Sequence, residues 1–206
     1  MDLLTALLIA LGAFLLGSIP TGYLVARAKG IDIRQHGSGN IGATNVFRTL
    51  GKPLGILVFV FDALKGFAAV WFALTFGGPS AWPGIIAAVA VIAGHNYTPW
   101  LGFKGGKGIA TSAGVLIALM PWAVLAIALV WFAVFFATRY VSLASICAAA
   151  ALPVAVGALW FYGCGGNGPL LGFSVLIAAL AIWRHRSNIE RLMAGTEHRF
   201  DRKTSP

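Results

Sequence analysis

Three polar clusters interrupt an apolar chain, and each carries residue types suited to holding an anion. The first runs Gly37-Ser38-Gly39-Asn40-Ile41-Gly42-Ala43-Thr44-Asn45 and continues to Arg48. Glycines let a backbone turn several N–H groups toward one point, which makes a concavity for an anion. Ser38, Asn40, Thr44 and Asn45 add neutral donors, and the planar fork of Arg48 suits a phosphate. The plainer reading is a flexible loop of turn residues. Arg48 and a second loop of similar composition weigh against it.

That second loop is Phe103-Lys104-Gly105-Gly106-Lys107-Gly108. Two lysines three apart among small residues can cradle a phosphate. A Walker A loop needs Ser or Thr after its lysine, and Lys107 is followed by Gly108. No acidic cluster is present for Mg²⁺, so the pattern speaks against nucleotide hydrolysis. The competing explanation is a basic anchor turn beside a membrane span.

The third cluster is Arg184-His185-Arg186-Ser187-Asn188-Ile189-Glu190-Arg191-Leu192, followed by Glu197 and Arg199. If helical, His185 and Asn188 share a face. A basic helix lying on anionic headgroups is the alternative. His185 and Glu190 have the spacing of an HxxxxD acyltransferase pair. Glu replaces Asp, however, and residues five apart do not share a helix face.

Two further features lie inside apolar stretches. Asp62 and Lys65 are three apart on one helix face. A charge in mid-membrane costs about 2.5–3.5 kcal/mol on insertion scales. The pair is either self-neutralising or a device in which Asp62 orients Lys65 toward an anionic substrate; the sequence leaves both open. His95 and Asn96 end the third apolar stretch, close to the lysine loop, where buried polar groups need hydrogen bonds.

The elements that position these clusters follow from composition. Of 206 residues, 59% are hydrophobic and 10% charged, and mean hydropathy is +0.85. Soluble chains carry about a quarter charged residues, so the expectation is an all-α polytopic membrane protein. Lys and Arg number 15 against six Asp and Glu, for a formal charge of +9. In a soluble protein that excess would suggest nucleic acid. Here the basic residues flank apolar spans, which fits the positive-inside rule, anion sites, or both. Cys147 and Cys164 form no CxxC or metal spacing. Met1-Asp2 has no basic segment before the first apolar run, so no cleavable signal is expected.

Spans are expected over residues 3–26, 54–76, 82–100, 142–162 and 170–183, with a tight turn at 77–80 and a loop at 163–169. Residues 109–137 are uncharged, with Pro121 near the middle. As one helix they would reach about 43 Å; as two crossings each would be short, about 20 Å. Charge favours two. With the N-terminus outside and a turn at Pro121, fourteen of the fifteen basic residues lie inside, and the fifteenth, Lys65, lies within a span. Seven segments, N-out and C-in, are therefore expected, the fourth and fifth as a short pair. Residues 1–206 are read as a single domain with inner loops at 27–52 and 102–108 and an inner tail at 184–206. No internal repeat is visible.

Taken in order, Gly17-Ser18-Ile19-Pro20, Asp32-Ile33-Arg34, the run 37–48, Asp62-Ala63-Leu64-Lys65-Gly66, Gly94-His95-Asn96, the run 103–108 and the run 185–197 resemble one family, the bacterial acyl-phosphate:glycerol-3-phosphate acyltransferases. The resemblance covers nearly the whole chain. It implies a seven-span enzyme of the bacterial inner membrane with its site facing the cytoplasm. The implied reaction moves a fatty acyl group from acyl phosphate to the 1-hydroxyl of sn-glycerol 3-phosphate. The products would be lysophosphatidic acid and phosphate, at the entry to phospholipid synthesis. Ser38 and Arg48 resemble the family's essential first-motif residues. Gly105, Gly106, Lys107 and Gly108 resemble its glycerol-phosphate loop, and His185, Asn188 and Glu197 its third-motif polar residues.

The chemistry of the residues agrees with this. Two phosphate-bearing substrates would occupy two Gly-rich basic loops. Acyl phosphate is an activated anhydride and needs no covalent enzyme intermediate; no Ser-His-Asp or Cys-His arrangement is evident. The candidates divide by role. Ser38, Arg48, Lys107, His185 and Asn188 are catalytic. Gly37, Gly39, Asn40, Thr44, Asn45, Lys65, Lys104, Gly105, Gly106, Gly108 and Ser142 bind substrate. Asp62, His95, Asn96 and Glu197 orient other groups. The hydroxyl proton could pass to His185 or to a substrate phosphate oxygen, and the absence of an obvious carboxylate–His pair favours the oxygen. No metal, cofactor, nucleic acid or obligate protein partner is expected; the partners are the two substrates and the lipid bilayer. A phosphate or organophosphate transporter is the rival from another class, with Asp62 and Lys65 as a relay. Transporters often show two related halves, and none is seen here. The acidic metal signature of a CDP-alcohol phosphotransferase is missing.

Overall fold

Pro20 divides the first apolar stretch. In the computed structural model, which describes residues 1–200, α1 covers Leu3–Ser18 and α2 covers Thr21–Arg27. The single helix expected over 3–26 is thus two, because proline donates no hydrogen bond and pushes the preceding residue out of the helical region. Ile19 accordingly has ψ 113°. Asp2 caps α1, its side chain accepting the Thr5 N–H at 2.8 Å.

The described residues are helical and contain no strand. After α2 come α3 (Ala43–Leu50), α4 (Lys52–Phe76), α5 (Trp82–Asn96), α6 (Ile109–Leu119), α7 (Pro121–Thr138), α8 (Val141–Phe161), α9 (Gly168–Arg184) and α10 (Arg186–Met193). Prolines open α4, α5 and α9, where a missing N–H costs nothing. Among the described residues, four stretches are long and apolar enough to cross a membrane: Leu3–Arg27, α4, α7 and α8. A fifth is added if α9 and α10, bent by 54°, are taken as one. The chain is an all-helical polytopic membrane protein.

The break expected at Pro121 is present, with Met120 outside the helical region at φ −152° and ψ 69°. The two pieces are unequal, however. The 11 residues of α6 rise about 16 Å, while the 18 of α7 rise about 27 Å, so only α6 is short for a bilayer. Ala123 is the one residue that α7 buries, as befits a helix facing lipid.

The chain forms two compact units, Met1–Pro121 and the part from Trp122 onward. In the first, α1 packs on α5 and α4 on α6. Both contacts bring backbones together at glycines. A Cβ on Gly17 or Gly94 would strike the Val91 or Phe14 carbonyl, and one on Gly66 or Gly114 would strike the Thr111 or Ala63 carbonyl. Beneath the segment joining α2 to α4, Ile33, Ile41 and Val46 form a buried cluster with Ala26, Val58 and Leu101. Each large side chain so buried is worth about 1.5–3 kcal/mol, so this segment is a packed layer and not a loose loop. In the second unit α8 packs on α9, and Trp131 of α7 donates to Ser145 of α8 at 3.2 Å. Asn167 caps α9 by accepting the Leu170 N–H at 2.9 Å. Arg202 and Lys203, placed on the inner side above, lie outside the described residues.

Candidate active site

In the first glycine-rich segment one side chain organises the turn. Asn45, buried near the start of α3, gives its amide hydrogens to the carbonyls of Asn40 at 2.8 Å, His36 at 2.9 Å and Ile33 at 3.3 Å. Its Oδ1 accepts the Ser38 N–H at 2.9 Å. Read from the sequence as a substrate donor, Asn45 has both its amide hydrogens and its Oδ1 bonded within the loop, which shapes the turn. Asn40 is similarly engaged, its Oδ1 accepting the Gly42 N–H at 2.8 Å. Ser38 is exposed between Gly37 and Gly39, whose positive φ values of 57° and 70° turn the chain sharply. Thr44 and Arg48, half-buried and four apart on α3, share one face of that helix.

The entry to this segment is fixed by charge. Arg34 forks onto Asp32, with Nε to Oδ1 at 2.9 Å and the terminal nitrogen to Oδ2 at 2.6 Å. Its guanidinium lies 5.0 Å from the centre of the Tyr23 ring. The Arg34 hydrogen bonds hold the Asp32 carboxyl down to about 2.

The charged pair inside the membrane is buried in protein. Lys65 Nζ meets Asp62 Oδ1 at 2.7 Å, the Ile19 carbonyl at 2.8 Å and His95 Nδ1 at 3.0 Å. An ammonium has three hydrogens, and here each has an acceptor. Asp62 Oδ1 also accepts from Thr21 Oγ1 at 3.0 Å. Lys65, read from the sequence as a substrate-binding residue, and Asp62, read as an orienting one, are thus bonded to each other and to protein groups around them. Read from the sequence, Ile19 has no site role beyond its place in Gly17-Ser18-Ile19-Pro20, and Thr21 has none at all. Their roles arise from the Pro20 break, which leaves the Ile19 carbonyl outside the helical ladder.

The lysine loop is pinned to the end of α5. Gly105 N–H donates to the Asn96 carbonyl and Gly106 N–H to the His95 carbonyl, both at 3.1 Å. These two N–H groups are spent within the protein, so the loop is no simple backbone cradle. Its glycines serve close approach: a Cβ on Gly105 would collide with the His95 carbonyl, and one on Gly106 with the His95 ring. Gly108, left-handed at φ 81°, starts α6, and Lys107 immediately precedes it. Lys104 is exposed and Lys107 half-buried. Lys107 thus directly precedes a helix start, whose first N–H groups favour an anion.

The second unit holds the tail cluster. Glu197, 9% exposed, accepts from Ser142 Oγ at 2.9 Å and Asn188 Nδ2 at 2.7 Å on one oxygen, and from Arg191 Nε at 2.7 Å on the other. Burial alone would raise its pKa. The three donors outweigh that and hold it below the usual glutamate value. Ser142, expected from the sequence to bind substrate, gives its hydroxyl hydrogen to Glu197. Arg191 was not singled out. His185 lies at the bend between α9 and α10, with Nδ1 bonded to the Ala181 carbonyl at 2.8 Å. Asn188 N–H donates to the His185 carbonyl, also at 2.8 Å. Both side chains are buried. Among the described residues, no group of three or more His, Cys, Asp or Glu could hold a metal.

A family model described as glycerol-3-phosphate acyltransferase matches residues 7–195. The glycerol-3-phosphate acyltransferase of Geobacter metallireducens is 52% identical over 198 residues, covering 96% of this chain and 99% of that one. That of Aquifex aeolicus is 46% identical over 195 residues, covering 95% and 99%. Among solved structures, the crystal structure of PlsY, an integral membrane glycerol 3-phosphate acyltransferase, in its glycerol 3-phosphate form superposes with a TM-score of 0.86. Identity is 46%, with 95% of this chain and 96% of that one covered. The lysophosphatidic acid form gives a TM-score of 0.84 at 45% identity, covering 95% of each. This chain belongs to the glycerol-3-phosphate acyltransferase family. That membership sets aside the transporter reading.

Proposed function

We propose that the protein moves a fatty acyl group from acyl phosphate to the 1-hydroxyl of sn-glycerol 3-phosphate, releasing lysophosphatidic acid and phosphate. The observation that carries this is the pairing of two ordered basic loops in a chain that matches, over 95% of its length, a structure described in a glycerol 3-phosphate form. The acyl donor rests on the sequence resemblance and on the chemistry of an anhydride, which needs no enzyme nucleophile.

In the reaction the 1-hydroxyl oxygen bonds to the acyl carbonyl carbon. The bond from that carbon to the phosphate oxygen breaks, and the hydroxyl proton leaves on a phosphate oxygen. Arg48, Lys104 and Lys107 hold the phosphates and stabilise the charge that develops on the carbonyl oxygen. Ser38 and Asn188 orient the reacting groups. His185 Nδ1 is turned to the Ala181 backbone carbonyl, which supports the substrate oxygen as proton acceptor. Asn45, Lys65, Asp62, Ser142 and Glu197 keep these groups in place. The seven membrane segments are α1–α2, α4, α5, α6, α7, α8 and α9, with the N-terminus outside and the basic loops and tail on the cytoplasmic face of the inner membrane. The whole chain acts as one catalytic domain, and neither a cofactor nor an obligate protein partner enters this scheme.

The test is transfer by the purified protein in detergent or lipid. Acyl phosphate and labelled sn-glycerol 3-phosphate are supplied, with acyl-CoA as a parallel donor. Lysophosphatidic acid and phosphate in equal amounts from acyl phosphate alone is the expected result. Product only from acyl-CoA would overturn the donor, and no product from a folded protein would overturn the reaction.

A further inference from the structure

The buried Asp62–Lys65 pair ends on His95, and His95 ends on the lysine loop. Lys65 can only donate, so the 3.0 Å contact requires His95 Nδ1 to offer its lone pair. The ring proton is then on Nε2. That edge of the ring faces Gly106: a Cβ placed there would meet Nε2, Cε1 and Cδ2 before anything else. The His95 backbone carbonyl holds the same glycine through its N–H at 3.1 Å. Gly106 is therefore gripped twice by one residue, immediately before Lys107. All the partners lie in the first unit, on the Pro20 break, α4, α5 and the loop, and the side chains of Asp62, Lys65 and His95 are 5% exposed or less.

We propose that Lys65 acts through His95 as a positioning residue for the 105–107 loop. By fixing the tautomer and plane of the imidazole it sets where Lys107 stands, and so how tightly the phosphate of sn-glycerol 3-phosphate is held. This rests on the assignment of that loop to the glycerol-phosphate substrate. An ion pair whose only task was to join helices would need no acceptor nitrogen at its end, nor a ring edge against a glycine.

The test separates binding from folding by measuring KM for each substrate alongside kcat. His95→Asn keeps an acceptor near Nδ1 and removes the edge that meets Gly106; His95→Gln places an amide near Nε2. We expect His95→Asn to raise KM for sn-glycerol 3-phosphate by about tenfold or more, with KM for acyl phosphate changed less than about twofold. His95→Gln recovers most of that loss. Lys65→Met raises the same KM, and adding it to His95→Asn raises it little further, because the two act in series. A fall in kcat at unchanged KM would mark a merely structural role and overturn the proposal, as would additive effects. Where Lys65→Met does not accumulate in the membrane, the His95 pair decides alone. Lys107→Ala is the control on the underlying assignment. If it leaves KM for sn-glycerol 3-phosphate unchanged, the loop assignment fails. If it raises KM while the His95 variants do not, only the positioning role fails.

Discussion

Asn188 gives its side-chain amide to Glu197 at 2.7 Å, tying the first turns of α10 to a carboxylate nine residues on. Arg191 and Ser142 close on the same carboxylate, so one buried anion fixes the start of α8 and the tail together. Since Glu197 is held below its ordinary value of 4.5, its contribution to stability is fully present above that pH and is lost as pH falls through the lower folded value. Thermal unfolding of the detergent-solubilised protein should show a fall in Tm below about pH 4.5, and Glu197→Gln should lack that component. At pH 7 the same variant should lose activity, because its amide hydrogens oppose Arg191 and disturb Asn188. A variant with the wild-type pH profile would show that the carboxylate is not the link.

Asn45→Asp should be nearly inactive although it differs by one atom. The change keeps the acceptor for the Ser38 N–H but sets a carboxylate oxygen against the carbonyls of Ile33, His36 and Asn40. Leaving buried polar groups unpaired costs about 1–3 kcal/mol each, more where a charge is involved. A drop in Tm together with lost transfer is the expected result; wild-type kcat would mean that the loop is held by its apolar layer alone.

The apolar segments, the break at Pro121 and the three polar clusters were readable because they depend on composition and on proline. The direction of side-chain hydrogen bonds was not. Asn45 and Lys65 have the residue types of ligand-binding groups, and only the placement of the Asn40 and Ile19 carbonyls shows that both are occupied within the protein. Ser142 likewise turns to a residue 55 positions away. Pro20 carried a signal for the divided first helix, since proline restricts the residue before it, but the uninterrupted apolar run around it masked the break.

Arg48→Lys should not rescue Arg48→Ala. Arg48 is half-buried on the same face of α3 as Thr44, above a loop fixed by Asn45. A guanidinium there can meet two phosphate oxygens at once, and an ammonium cannot. Both variants should lose about a hundredfold or more in kcat/KM, with Tm within a few degrees of wild type. Recovery by lysine would reduce the role of Arg48 to charge alone.

The two loop lysines should separate by ionic strength. Lys104 is exposed and its backbone N–H merely closes a turn on Leu101, whereas Lys107 is half-buried at the head of α6. Exposed charges act at long range and are screened within about 8–10 Å at ordinary salt. Lys104→Ala should therefore raise KM for sn-glycerol 3-phosphate modestly at low salt and hardly at 0.5 M salt. Lys107→Ala should raise it strongly at both. Equal salt dependence of the two variants would contradict this division.

Cys164 offers a direct check on orientation. It is exposed in the turn between α8 and α9, while Cys147 lies half-buried within α8. With seven segments and the N-terminus outside, that turn faces outward. A membrane-impermeant maleimide should then label Cys164 in intact spheroplasts, and Cys164→Ser should abolish the labelling. Labelling only after permeabilisation would reverse the orientation. The 27–52 and 102–108 loops would then face away from the cytoplasm, the compartment in which phosphorylated glycerol and acyl phosphate must be supplied. The cytoplasmic active site would be lost with the topology, although acyl transfer by the purified enzyme would be unaffected.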